Sequence, residues 1–182
     1  MAQFNIPSYT TDNFSFGPGV LLVGTTGATP TIDVGAVRAG AELSVSRTVL
    51  EVRQGSTMNL IKQYVTQENV GLNVTGIEWN LERLKEVFGS GVLTTSSSLD
   101  TLLFGGDINI GELSVRFRHI MPTGNTIYVD IWKAQPTPEM SLSFGEEIHE
   151  FPYQFKALDS TTQWDSAATN DLGRLMRIIR VK

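Results

Sequence analysis

Apolar and polar positions alternate with period two along much of this chain, which is the signature of half-buried β-strands. Leu113, Val115 and Phe117 alternate with polar neighbours, as do Ile127, Val129 and Ile131, and Phe151, Tyr153 and Phe155. These patterns predict strands over Leu113–His119, Ile127–Ala134 and Glu147–Ala157, with Pro122-Thr123-Gly124-Asn125 turning between the first two. The run Val20–Val23, set between Gly19 and Gly24, reads as a short buried strand. Further strands are expected near Thr101–Phe104, Met140–Phe144 and Leu175–Val181, with Pro136 and Pro138 interrupting the chain.

The longest β signal runs from Leu43 through Val45 and Val49 to Arg53, turns over Gln54-Gly55-Ser56-Thr57, and returns as Leu60–Leu72. A hairpin with arms of about eleven residues exceeds the usual strand of roughly five or six. Arms that long project past one small core unless something else covers them, so the hairpin is a candidate subunit contact. One helix breaks the β pattern. Thr75-Gly76-Ile77-Glu78 fits a capping box, and Ile77, Leu81, Leu84 and Phe88 line one face. With Gly89 placed for a left-handed C-cap, the expectation is a helix at about 76–88. Ser90–Ser98 follows as a Ser/Thr/Gly-rich segment expected to be a mobile loop.

The resulting fold class is mainly β: an antiparallel two-sheet sandwich with one flanking helix, a long hairpin and terminal arms. Residues 1–16 form an N-terminal arm and residues 17–182 a single domain. The arm is polar but carries Phe4, Ile6, Tyr9, Phe14 and Phe16, aromatic and apolar groups that need a surface to dock on. That surface is either its own domain or a neighbouring subunit.

Composition narrows the function. With 182 residues, 41% apolar and 18% charged, the chain has material for one globular core. A net charge of -5 argues against a general nucleic-acid binder. The absence of cysteine excludes thiolate chemistry, disulfides and cysteine-ligated metals. The two histidines, His119 and His149, leave little for general-base or metal chemistry. Glu147 and His149 share a strand face in the Glu146–Glu150 stretch, but two ligands fall short of a catalytic zinc site, and a solvated acidic edge is the expected role. No phosphate-loop, dinucleotide or Gly-x-Ser-x-Gly pattern is present. No catalytic, cofactor or metal residues are assigned, and no membrane-spanning run or secretory leader is read in the sequence.

Several stretches in order carry a family resemblance. They are Phe16-Gly17-Pro18-Gly19-Val20-Leu21-Leu22-Val23-Gly24, Asp33-Val34-Gly35-Ala36-Val37, Leu50-Glu51-Val52-Arg53-Gln54-Gly55, the capped helix, and Glu150-Phe151-Pro152-Tyr153-Gln154-Phe155-Lys156-Ala157-Leu158-Asp159. Together they resemble the tail tube (major tail) proteins of tailed bacteriophages across most of residues 16–181. The resemblance implies a structural virion protein, assembled in the host cytoplasm, whose six-membered rings stack into a hollow tube. It also implies a tape-measure protein and other tail proteins as partners, and double-stranded DNA passing through the lumen without specific binding. An acidic lumen would let DNA slide, and a lumen lined mainly by arginine and lysine would contradict that expectation.

By position, the resemblance gives subunit-contact roles to Arg53, Gln54, Gly55, Ser56, Thr57 and Met58 at the hairpin turn, to Phe4, Tyr9 and Phe14 in the arm, and to Arg177 and Arg180 near the C-terminus. Type VI secretion tubes and phage-like bacteriocin tubes share the implied fold and stay open as alternatives. So does a β-sandwich receptor- or carbohydrate-binding module, which would present Trp132 or Trp164 in a groove.

Overall fold

A computed structural model gives the architecture; it describes residues 17, 19–106, 109–137, 148–161, 164 and 173–181. The strands are β1 (Val20–Thr25), β2 (Ile32–Asp33), β3 (Val37–Gln54), β4 (Asn59–Gly76), β5 (Val92–Thr95), β6 (Asp100–Leu103), β7 (Leu113–Ile120), β8 (Thr126–Pro136), β9 (Phe151–Ala157) and β10 (Arg177–Val181), with helix α1 at Leu81–Phe88. All strand pairings among these residues are antiparallel. The chain is mainly β with one helix, as its alternating pattern predicts.

The large sheet runs in the order β2-β1-β7-β8-β9-β4-β3, with β10 added on β8. Strand β8 is the fork. Its first half pairs with β10 through Thr126–Asp130, and its last residues, Ala134–Pro136, pair with β9. The wings on either side of this fork close on one core. Leu21 and Val23 of β1 and Val115 and Phe117 of β7 meet Leu72 and Val74 of β4 and Phe151, Tyr153 and Phe155 of β9. Each contributor is an alternate residue, so a one-residue register slip would carry a whole strand's set to solvent. Helix α1 adds Leu84 and Val87 to the same core.

The helix starts later than its capping pattern predicts. Strand β4 continues through Thr75 and Gly76, paired with Pro152 and Phe151, so Thr75 is held in a ladder rather than free to cap. Asn80 caps instead, its side-chain oxygen accepting the Arg83 N–H at 3.1 Å. Glu78 does not reach back to Thr75; its carboxylate accepts the Ala36 N–H at 3.1 Å and so pins the 33–36 loop. The C-terminal end matches expectation, with Gly89 at φ 61° donating to the carbonyls of Lys85 and Glu86.

The segment expected as a mobile loop after the helix is a second sheet. Val92 and Leu93 pair with Leu103 and Leu102. The turn between the strands is tied by Ser96, whose hydroxyl donates to the Leu99 carbonyl at 3.0 Å and accepts the Leu99 N–H at 3.1 Å. Local serine bonding, which favours turns, here closes a hairpin. The strand expected over Met140–Phe144 lies outside the described residues.

A buried ion network fastens β10. Asp130 has 0% exposure and sits opposite both Arg116 of β7 and Arg177 of β10. Arg116 donates to it through Nε at 2.6 Å and Nη2 at 2.8 Å, and Arg177 through Nε at 3.0 Å. Removing one partner of a buried ion group leaves its counter-charges uncompensated, which is costlier than the pair is stabilising. Asp130→Ala is therefore expected to cost about 3 kcal/mol or more in urea unfolding; a loss under about 1 kcal/mol would show that the network is solvent-relaxed.

Burial, with the nearby Glu78 charge second, pushes the Tyr153 hydroxyl up from 10.0 to about 12. The neutral phenol is thus the folded form. Its contribution to stability is complete below pH 10.0 and is lost as pH rises to about 12. The loss is at most about 3 kcal/mol, at roughly 1.4 kcal/mol per unit. Thermal unfolding over that window should show the decline in the native chain and a flatter profile in Tyr153→Phe.

Candidate functional site

The β3–β4 hairpin is the feature that the core does not explain. Strand β9 pairs with β4 only along Gly71–Gly76, and β3 is the last strand of the sheet order. Outward from there, residues 44–70 form a two-stranded ribbon whose outer backbone edges meet no other strand among the described residues. Two register irregularities interrupt the ribbon, at Thr48/Val49 and Val52/Arg53. They leave Thr66 and Ile61 as extra residues on β4, which increases local twist. Thr66 donates its hydroxyl to the Thr48 carbonyl at 3.1 Å, anchoring the first irregularity.

Cross-strand partners share a face, so the register sorts the side chains. One face continues the core side: Val45/Val70, Arg47/Glu68, Val49/Val65 and Glu51/Gln63. The other begins polar, with Ser46/Asn69 and Thr48/Gln67, and then turns apolar with Leu50/Tyr64 and Val52/Lys62. The distal half therefore carries apolar side chains on both faces, including Leu50 at 58% and Tyr64 at 50% exposure. Ile61, Val65, Leu60 and Met58 are exposed with them.

The charges on the core-side face are internally matched. Arg47 bonds Glu68 at 2.8 Å, and Arg53 bonds Glu51 at 2.5 Å, with Gln63 donating to the same carboxylate at 3.0 Å. The hydrogen bonds from Arg53 first, then from Gln63, hold the Glu51 carboxyl below its ordinary value. Lys62 differs. Its ammonium lies 4.8 Å from the centre of the Tyr64 ring, and among the described residues it joins no ion pair.

At the tip, Gly55 at φ 87° and Met58 at φ 51° close the turn, with the Met58 N–H donating to the Gly55 carbonyl at 3.0 Å. Met58 is the only non-glycine residue at positive φ among those described, a conformation that costs about 1–2 kcal/mol for an L side chain. Arg53, Gln54, Gly55, Ser56, Thr57 and Met58 are thus brought together as one exposed tip. The other predicted contact residues are not part of it. Phe4, Tyr9 and Phe14 lie outside the described residues. Arg177 is committed to Asp130 and lies over the Trp132 ring at 5.7 Å. Arg180 is exposed on β10, opposite Ile127.

The sequence marks the long hairpin as a candidate subunit contact but gives contact roles only to its turn, not to Ile61, Tyr64 and Val65 of the apolar ribbon beneath the tip. The available signal was parity: adjacent apolar pairs such as Val49-Leu50, Leu60-Ile61 and Tyr64-Val65 place apolar side chains on both faces at once.

Two shallow grooves lie on the surface of the described residues. One, of about 510 Å³, is lined by Trp79, Asn80, Leu81, Glu82, Leu93, Thr95 and Asp100. The other, of about 380 Å³, lies between the C-terminal end of α1 and the end of β1, and is largely glycine and polar. Trp132, which the binding-module alternative would present in a groove, has 0% exposure, and Trp164 packs near it at 6.3 Å between ring centres. The exposed tryptophan is Trp79, at 48%. Its Nε1 donates to His149 Nδ1 at 3.2 Å, and its ring meets Phe151 edge-on at 4.7 Å. No group of three or more metal-ligating side chains occurs among the described residues, and Glu146 and Glu147 lie outside them. Among the described residues no helix is long and apolar enough to cross a membrane.

No protein-family model matches the chain, and no curated protein matches it.

Exposed side chains contribute little to the stability of the free chain. Replacing Leu50 and Tyr64 together by serine is expected to change the unfolding free energy of the dilute protein by under about 1 kcal/mol. A larger loss would mean that the ribbon is already packed within one copy.

Proposed function

We propose that this chain is a non-enzymatic structural subunit that polymerises through its β3–β4 hairpin, and that its place is the tail tube of a tailed bacteriophage. The observation that carries the reading is the distal ribbon, with apolar side chains on both faces and two edges that meet no other strand among the described residues. A two-stranded hairpin is marginal in water on its own, and open edges pair readily with another chain. Covering it removes apolar surface at about 25 cal/mol per Å² and satisfies strand edges in one step.

The family resemblance of the sequence supplies the form of the assembly: hexameric rings stacked into a tube. The hairpin reaches a neighbouring copy, the N-terminal arm helps to fasten rings, and the lumen passes DNA without gripping it. A tape-measure protein and other tail proteins are its partners in this reading. Type VI secretion and bacteriocin tubes would use the same subunit physics.

Negative-stain electron microscopy across a concentration series tests the proposal. Native protein should give rings or tubes of uniform width, and a chain whose residues 48–66 are replaced by a short turn should stay as small particles. Tubes from the shortened chain would remove the hairpin from assembly. Small particles from native protein, even with a baseplate seed, would overturn the reading.

A further inference from the structure

The groove of about 510 Å³ beside the start of α1 has the chemistry that the distal hairpin lacks a partner for. Its walls include three large apolar side chains, Trp79, Leu81 and Leu93, and two carboxylates, Glu82 and Asp100. No lysine, arginine or histidine lines it. Among the described residues neither carboxylate joins an ion pair. The hairpin face bearing Leu50, Val52 and Tyr64 is its complement: apolar, with Lys62 the one charged side chain on its distal part.

We propose that this groove is the dock for the hairpin of a second copy, with Lys62 entering between Glu82 and Asp100 while Leu50 and Tyr64 cover the Trp79 side. The proposal rests on the reading of the chain as a self-assembling subunit and names the surface that receives the hairpin. Charge complementarity decides between the two grooves. The smaller one mixes Lys85 with Glu86 and Glu112, and Glu112 is already bonded to Lys133 at 2.9 Å. A lone cation on an apolar strand face is better matched by two acids that join no ion pair among the described residues than by a groove that already holds a lysine. A charge match of this kind also fixes register, which apolar contact alone does not.

Charge reversal tests it, because Lys62, Glu82 and Asp100 are all exposed in the free chain and their replacement leaves the core intact. Lys62→Glu, and separately Glu82→Lys with Asp100→Lys, should each raise the concentration needed for assembly by about tenfold or more. The chain carrying all three changes should recover most of that loss. Lys85→Glu, in the other groove, should leave assembly unchanged. Unfolding curves for each variant check that the subunit is folded. If native protein assembles and the reversals have no effect, or the triple variant does no better than the single reversals, the docking assignment is overturned while self-assembly stands. If native protein does not assemble under any condition, both fall together.

Discussion

Strand β4 is paired on both sides for a third of its length and on one side for the rest, and the molecule is organised around that change. Where β9 accompanies it, from Gly71 to Gly76, alternate side chains enter the core and the backbone is saturated. Where β9 stops, β4 and β3 continue together into solvent. The same backbone chemistry that fixes the core in register leaves two strand edges beyond it that pair with no other strand among the described residues. A sheet that ended where its core ended would need no partner; this one continues well past it.

The rest of the fold stabilises that platform. Asp130 gathers Arg116 and Arg177 from the two strands beside it and so locks β7, β8 and β10 into one rigid wing. On the other wing, Glu78 holds the 33–36 loop, next to the buried Tyr153 that stacks with Phe151. Glu78 and the loop it holds lie at the base of the hairpin, where β4 ends and β3 begins.

Much of this was legible in the sequence because a buried strand writes its alternation directly. The Phe151, Tyr153 and Phe155 series, the β7–β8 hairpin with its Pro122–Asn125 turn, and the β3–β4 turn follow from period and turn chemistry. The failures have a common physical cause: local signals lost to long-range pairing. Thr75 and Glu78 spell a capping box, yet Phe151 and Pro152, far along the chain, claim that backbone for the sheet. Val92–Thr95 sits in a serine- and glycine-rich stretch, yet cross-strand leucines make it a strand. Trp132 would be presented by the binding-module alternative, and no local pattern announces that it is covered. The ribbon was legible as a long hairpin reaching past one small core, but how far its exposed part extends depends on where β9 ends.

Hydrogen exchange of the backbone in the free and assembled protein tests the central claim most directly, because it reads the open edges themselves. In the dilute chain, the outward-pointing amides along the edges of residues 48–66 should exchange freely while those of 71–76 stay protected, since among the described residues only the latter lie between two strands. On assembly, the distal amides should gain protection of about a hundredfold or more. Distal amides that remain open in assembled particles, or that are already protected to core level in the monomer, would contradict the account.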